Sequence, residues 1–227
     1  MSTPGADHAV PVSSRTRRVP SRTVTLPMRN VLAATEDFGT VLGLIDEAAA
    51  WLRTRDPHQW ANPWPDREAR DARVRRGLAG EKTWIVWDGD IAAATITLTP
   101  RLNPKVWSRP ACTCDLSERA IYAHRLITAR SHAGRGLGAQ LIDWAGLRAR
   151  SDYGARWIRI DVWSTNTALH RYYLSTGFEA CGTCADGAYP SGRLFQKRTA
   201  RIEAADTPLL GQPSPARVRS AQELVLA

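Results

Sequence analysis

ARSHAGRGLGAQLIDWA, residues 129–145, sets Gly134, Gly136 and Gly138 on alternate positions between a β-prone run and an apolar run with helical spacing. Upstream, AIYAHRLITA (120–129) has the composition of a long strand. Downstream, Leu137, Leu141, Trp144 and Ala145 fall on one helical face. A glycine turn that opens a helix lets several backbone N–H groups point at one anion with no Cβ in the way, so a phosphate suits such a corner. The same letters also describe a bare turn before a well-packed helix, and three glycines alone do not separate the two.

Working outward, RWIRIDVW (156–163) reads as a strand with Ile158, Ile160 and Val162 on a core face and Trp157, Arg159, Asp161 and Trp163 on the other. Asn166 opens a short helix with Leu169, Tyr172, Tyr173 and Thr176 on a common side, closed by Gly177. Phe178 starts another strand, and SGRLFQKR (191–198) supplies the last. Toward the amino terminus, TWIVWDGDIAAATITL (83–98) is a hairpin signal turning through Asp88-Gly89-Asp90, and residues 99–118 read as loop. REARDARVRRGLAG (67–80) is a charged helix stopped by Gly77 and Gly80. Thr35 supplies an N-cap hydroxyl for an amphipathic helix over 36–54, and TVTLPMRNVLAA (23–34) reads as an edge or bulged strand because of Pro27.

The chain has 227 residues, 43% of them hydrophobic, which suits one sizeable domain with tails. Its net charge of +9 is carried mostly by Arg, part of it in SRTRRVPSR (14–22), and fits nucleic acid or a phosphorylated cofactor equally well. No helix-turn-helix or zinc-finger pattern is found, so nucleic acid is not expected as a partner. No run approaches the roughly 18 to 20 apolar residues of a membrane span, and no secretory h-region is present; a cytoplasmic protein is expected. Residues 1–22 read as a disordered basic tail or an organelle transit peptide, 23–199 as the domain and 200–227 as a flexible tail. The cysteines form Cys112-x-Cys114 and Cys181-x-x-Cys184, a spacing unlike a zinc ribbon, so no metal is expected and reduced thiols on loops are the default.

The element order, with GRGLGA (134–139) and DVWSTNTALHRYYLSTGF (161–178), resembles the GNAT superfamily of N-acetyltransferases over about residues 23–199, most closely from 120 to 180. The resemblance implies an α/β (α+β) fold, with a mixed, mostly antiparallel central sheet of about six to seven strands, about four flanking helices, and a cofactor cleft where the fourth and fifth strands splay apart. It implies acetyl-CoA as co-substrate. Its pyrophosphate is expected at Gly134, Arg135, Gly136, Leu137, Gly138 and Ala139, its pantetheine arm along Leu126, Ile127 and Thr128, and its thiol end near Asn166. One departure is Ala133, where the family carries Arg or Gln; Arg130 and Arg135 are the candidate replacements.

Acetyl transfer from a thioester to a primary amine needs a proton acceptor for the amine, a polarised carbonyl and a donor for the leaving thiolate. Asp161 is the first candidate base, with an ion pair to a neighbouring Arg as its structural alternative; Glu118 and His124 are the reserves. A backbone N–H on 126–128 is expected to polarise the carbonyl. Tyr173 matches the family's proton donor, its alternative being a core tyrosine with Tyr172 as packing partner. Trp51, Trp60, Trp64, Trp84 and Trp107 are candidates for an acceptor pocket or for packing. The acceptor is open among small-molecule amines, protein amino termini and lysines. No cysteine lies in the two motifs, which favours direct attack in a ternary complex over an acyl-enzyme. A non-catalytic acyl-CoA-binding regulatory module is the alternative, and a homodimer is carried as a further expectation.

Overall fold

The computed structural model describes residues 28–55, 59–60, 62–108, 112–184, 186–208 and 210. Hydrophobic alternation at β1 (Arg29–Leu32), β2 (Thr83–Asp88), β3 (Ile91–Thr99), β4 (Ala120–Thr128), β5 (Trp157–Val162), β6 (Glu179–Thr183) and β7 (Arg193–Arg198) builds one seven-stranded sheet in the order β1-β2-β3-β4-β5-β7-β6. Every neighbouring pair is antiparallel except β4 and β5. The helices are α1 (Phe38–Arg53), α2 (Arg67–Ala79), α3 (Leu137–Tyr153) and α4 (Thr167–Ser175). No helix among the described residues is long and apolar enough to cross a membrane.

Two clusters sandwich the sheet. α3 lays Leu137, Leu141, Ile142, Trp144 and Ala145 on Ile96, Ile121, Ile158 and Ile160. On the other face, Val41, Leu44 and Ile45 of α1 and Val74 and Leu78 of α2 cover Ile85 and Ile127. Each fully buried aliphatic side chain contributes about 1.5–3 kcal/mol, so α1 is held by its stripe and not by helix propensity.

Several local expectations are corrected. Thr35 does not cap α1: a 3₁₀ turn (Thr35–Asp37) precedes it, and Asp37 Oδ2 accepts from the Ala34 N–H at 2.8 Å. α2 runs through Gly77, because a Cβ there would stand 2.8 Å from Thr83 Oγ1 and close packing on the sheet forbids it. The polar face of β5 is also buried: Arg159 is 0% exposed and donates to Gln196 Oε1, Tyr122 Oη and the Asp115 carbonyl. Segment 99–118 is partly core, with Val106 and Trp107 packed beside Tyr122 and Leu194. The cysteines are not loop thiols in general: all four are buried, Cys181 lies in β6, and Cys112 and Cys114 are joined in a disulfide. Past residue 199, where a flexible tail was expected, Ile202 and Leu210 are buried and the Leu210 carbonyl accepts from Asn30 Nδ2 at 2.9 Å. The basic segment 1–22 and the strand start at 23–27 lie outside the described residues.

Candidate active site

The parallel ladder between β4 and β5 stops at Ala123 and Ile160, although β4 continues to Thr128 and β5 to Val162. Between the diverging ends lies a cavity of about 1190 Å³. Leu126, Ile127 and Thr128 line one wall, Asp161, Asn166, Tyr172 and Tyr173 another, and Trp51, Trp60 and Trp64 a third. Trp84 and Trp107 are absent from that lining: Trp84 packs on Trp144 and Trp107 on Tyr122. The edge of β4 past Ala123 has lost its strand partner on this side, so its backbone polar groups are free to bind an extended ligand.

At the mouth, the chain leaves β4, makes a 3₁₀ turn (Arg130–His132) and enters α3 through the glycines. Gly134 and Gly136 sit at φ +77° and +72°, a left-handed conformation that glycine adopts without strain. No backbone acceptor among the described residues takes the N–H groups of 134–139, which include the first orphan donors of α3. A Cβ on Gly138 would stand 3.3 Å from Tyr172 Oη and 3.4 Å from Thr128 Oγ1, so the turn closes directly on the cleft wall. These features fit an anion such as a pyrophosphate.

The turn is tied to the β2–β3 hairpin. A carboxylate can only accept, so His132 Nε2 donates to Asp88 Oδ2 at 3.0 Å, and in the neutral ring Ser131 Oγ donates to Nδ1 at 2.8 Å. Arg135 reaches the same Asp88 oxygen at 3.5 Å. The His132 hydrogen bond, with Arg135 behind it, holds the Asp88 carboxyl below the usual carboxylate range. Of the two replacements for the missing side chain at Ala133, Arg130 lines the cavity and stacks on Trp51 at 4.1 Å, whereas Arg135 points to Asp88.

Deeper in the cleft, Asp161 Oδ2 accepts from Tyr189 Oη at 2.7 Å and Oδ1 lies 3.4 Å from His124 Nδ1. The Asp161 side chain is 7% exposed and that of His124 29%, so the imidazole presents the more open face. Among the described residues, Asp161 forms no ion pair with an Arg, the structural alternative expected for it. Glu118 is not brought to the site: it pairs with Arg156 at 2.7 Å and accepts from Trp157 Nε1.

On α4, Asn166 is the N-cap, with Oδ1 accepting from the Leu169 N–H at 3.0 Å and Nδ2 donating to Gln59 Oε1 at 2.7 Å. Tyr173 packs edge-on against Phe178 and Tyr172, both at 5.4 Å, and its hydroxyl makes no hydrogen bond among the described residues. Burial pushes its phenol well above the ordinary tyrosine range. Tyr172 also lines the cleft, at the glycine end.

Sequence reasoning missed Tyr189, Gln59 and Arg125. Tyr189 and Gln59 sit in irregular segments with no periodicity to flag them. Arg125 occupies a β-bulge at φ +51°, where two steps of β3 (Thr95 to Thr97) face three of β4 (Ile127 to His124).

A family model described as acetyltransferase (GNAT) family matches residues 45–178, from α1 through the glycine turn to the end of α4. The chain is 32% identical over 165 residues to YesJ, an uncharacterized N-acetyltransferase of Bacillus subtilis (strain 168), across 73% of this chain and 87% of the relative. Its fold is similar to a GNAT-family acetyltransferase from Listeria monocytogenes 4b F2365, with a TM-score of 0.59 and 19% identity over 75% of this chain and 94% of that one. It is also similar to the PaiA N-acetyltransferase of Thermoplasma acidophilum, solved in complex with coenzyme A, with a TM-score of 0.52 and 14% identity over 76% of this chain and 99% of that one. Sequence match and sheet topology agree, and the chain belongs to the acetyltransferase (GNAT) family.

Proposed function

We propose that the protein moves an acetyl group from acetyl-CoA to a primary amine by direct attack in a ternary complex. The observation that carries this is a cleft that runs from Thr128 along Leu126 to the His124–Asp161 pair, with Gly138 of the glycine turn set against its wall at Thr128 and Tyr172. His124 and Thr128 face Thr97 and Ala94, three residues apart on β3, so they are separated by roughly 10 Å of strand.

The turn holds the pyrophosphate and the free edge of β4 the pantetheine arm. His124, at the more open face, takes the amine's proton, and Asp161 behind it keeps the ring oriented and stabilises its charge, with Tyr189 fixing the carboxylate. The amine then attacks the thioester carbonyl, polarised by a backbone N–H on 126–128. The C–S bond breaks and Tyr173 gives the departing sulfur its proton. A phenol raised by burial is a weaker acid, but burial raises a thiol too, as the Cys181 thiol of this protein, pushed up to about 12, illustrates.

The absent side chain at Ala133 favours a second reading, an acyl-CoA sensor without catalysis. Native mass spectrometry for retained acyl-CoA, followed by thiol release across a panel of amines, separates the two. Retention without release from any amine rejects the transfer reaction, and absence of both rejects the cofactor site.

A further inference from the structure

Arg125 carries a guanidinium that has no pairing partner among the described residues. The described residues give it no hydrogen bond and no ion pair, and its Nε is sealed from solvent without a partner. The residue as a whole is only half-buried because its outer edge lines the cleft. It cannot swing away freely, since α2 presses on it: Nη2 lies 3.2 Å from where a Cβ on Gly77 would stand. Burial, with Arg73 and Arg76 nearby, brings its pKa down to about 10, against the partial relief of Asp161. Arg73 also lines the cavity; among the described residues its guanidinium donates only to the Trp64 carbonyl, and it lies 6.0 Å over the Trp64 ring.

Six arginines and one acid, Asp161, stand among the described residues that line the cavity. Arg70 is neutralised by Asp46 and Asp71, and Arg130 lies beside the glycine turn on Trp51. Arg55 lies over the Trp51 ring and Arg101 is exposed, which leaves Arg125 and Arg73 at the acceptor end, with His124 adjacent in sequence to Arg125. A cation held out of water without a counter-charge is costly, and a guanidinium fork is the geometry that receives an oxyanion in two hydrogen bonds.

We propose that the acceptor amine also carries an oxyanion, a carboxylate or a phosphate, held by Arg125 and Arg73 while its amino group faces His124. This rests on the acetyl-transfer reading of the cleft. It selects small zwitterionic amines, of the kind of amino acids or aminoalkyl phosphates, over polyamines, whose second positive charge would meet Arg125.

The test uses the full chain loaded with coenzyme A and calorimetric titration of matched probes: phenylalanine against phenylalaninamide, and phosphoethanolamine against ethanolamine. Phenylalanine is chosen because four tryptophans, Trp51, Trp60, Trp64 and Trp163, line the pocket. One anionic member should bind roughly 10- to 100-fold more tightly than its neutral partner, the scale of a charge-assisted hydrogen bond, and the pair that shows this names the oxyanion. Arg125→Gln should erase the preference, and Arg125→Lys, which keeps the charge and loses the fork, should reduce it. Arg73→Gln, on the surface of α2, gives a reduction that does not depend on Arg125→Gln folding. Equal affinity within both pairs, no binding of any probe, or a preference that survives in Arg125→Gln and Arg73→Gln overturns the subsite. Thiol release is read in parallel. Selective binding without release rejects the transfer reaction and keeps the subsite; release that favours neutral amines keeps the reaction and rejects the subsite.

Discussion

Tyr173→Phe should make the protein more stable and less active at once. The ring is 7% exposed and packed on Tyr172 and Phe178, and Phe keeps all of that contact. Only the hydroxyl goes, and it has no partner among the described residues. A buried hydroxyl without a partner costs about 1–3 kcal/mol; because this one borders the cleft, the gain on removing it is set at up to about 1 kcal/mol. For a domain near this size that is a rise of at most about 2–4 °C in melting temperature. Turnover should fall by roughly 10- to 10³-fold, a loss of about 1.4–4 kcal/mol of transition-state stabilisation, with acetyl-CoA affinity unchanged. Burial raises the phenol's pKa in the folded chain, so the folded state disfavours its ionisation. Stability is therefore full below the unfolded phenol's pKa of about 10 and declines as pH rises beyond it, a decline that the mutant should lessen. Thermal melts across pH and steady-state thiol release measure both effects. A mutant with a lower melting temperature and parental turnover would make Tyr173 a core residue and nothing more; Tyr172→Phe, on the glycine side, is the control expected to leave turnover nearly unchanged.

Gly136→Glu should abolish coenzyme A binding in calorimetry, because it sets a strained left-handed residue and a negative charge at the anion site. His124→Ala and Asp161→Asn should each lower turnover by roughly 10²-fold and the double mutant by little more, because the two act as a unit, while Glu118→Gln spares turnover. A Cβ on Gly146 would stand 2.2 Å from Ile202 Cδ1, so Gly146→Ala should destabilise by about 1–3 kcal/mol in urea melts, and Ile202→Val should rescue it; strict additivity of the two would mean that Ile202 does not pack where the fold places it.

The parts of the fold that repeat with one period were legible: the strands, the helix stripes on α1 and α3, and the glycine corner whose flanks change from period two to period 3.6. The candidate site was legible where residues sit in motifs, as Asn166 and Tyr173 do, to the extent that both line the cavity. It was not legible where long-range packing decides. Arg159 reads as a solvent-facing strand residue and is buried because segment 99–118 folds over it, which no local pattern announces. Glu118 and His124 looked alike as reserve bases. Only the end of the β4–β5 ladder, three residues beyond the start of β4, separates the acid on the outside from the histidine in the cleft.

The bulge at Arg125 explains why β4 could not be read by alternation, and it lies between the proposed cofactor and acceptor ends of the cleft. Ile121 and Ala123 face the α3 cluster, as alternate residues must. Continued regularly, Arg125 and Ile127 would face it too and put a guanidinium into that core. Instead Leu126 packs against the α3 cluster and Ile127 against α1 and α2, so the pattern has shifted by one residue. The inserted position adds one side chain, Arg125, to the stretch of β4 that lines the cavity. Pairing on either side of the bulge runs Thr97 to His124 and Thr95 to Ile127, so removing Arg125 would leave Ile96 opposite Leu126 with both flanking pairs intact. It would also remove a left-handed residue that costs about 1–3 kcal/mol. Deleting Arg125 should therefore leave a cooperatively folding protein, with a melting temperature near or above the parent's, that still binds coenzyme A at the glycine turn and has lost turnover and any preference for anionic acceptors. Unfolding on deletion would show that the left-handed bulge is needed by the sheet itself and not by the cleft.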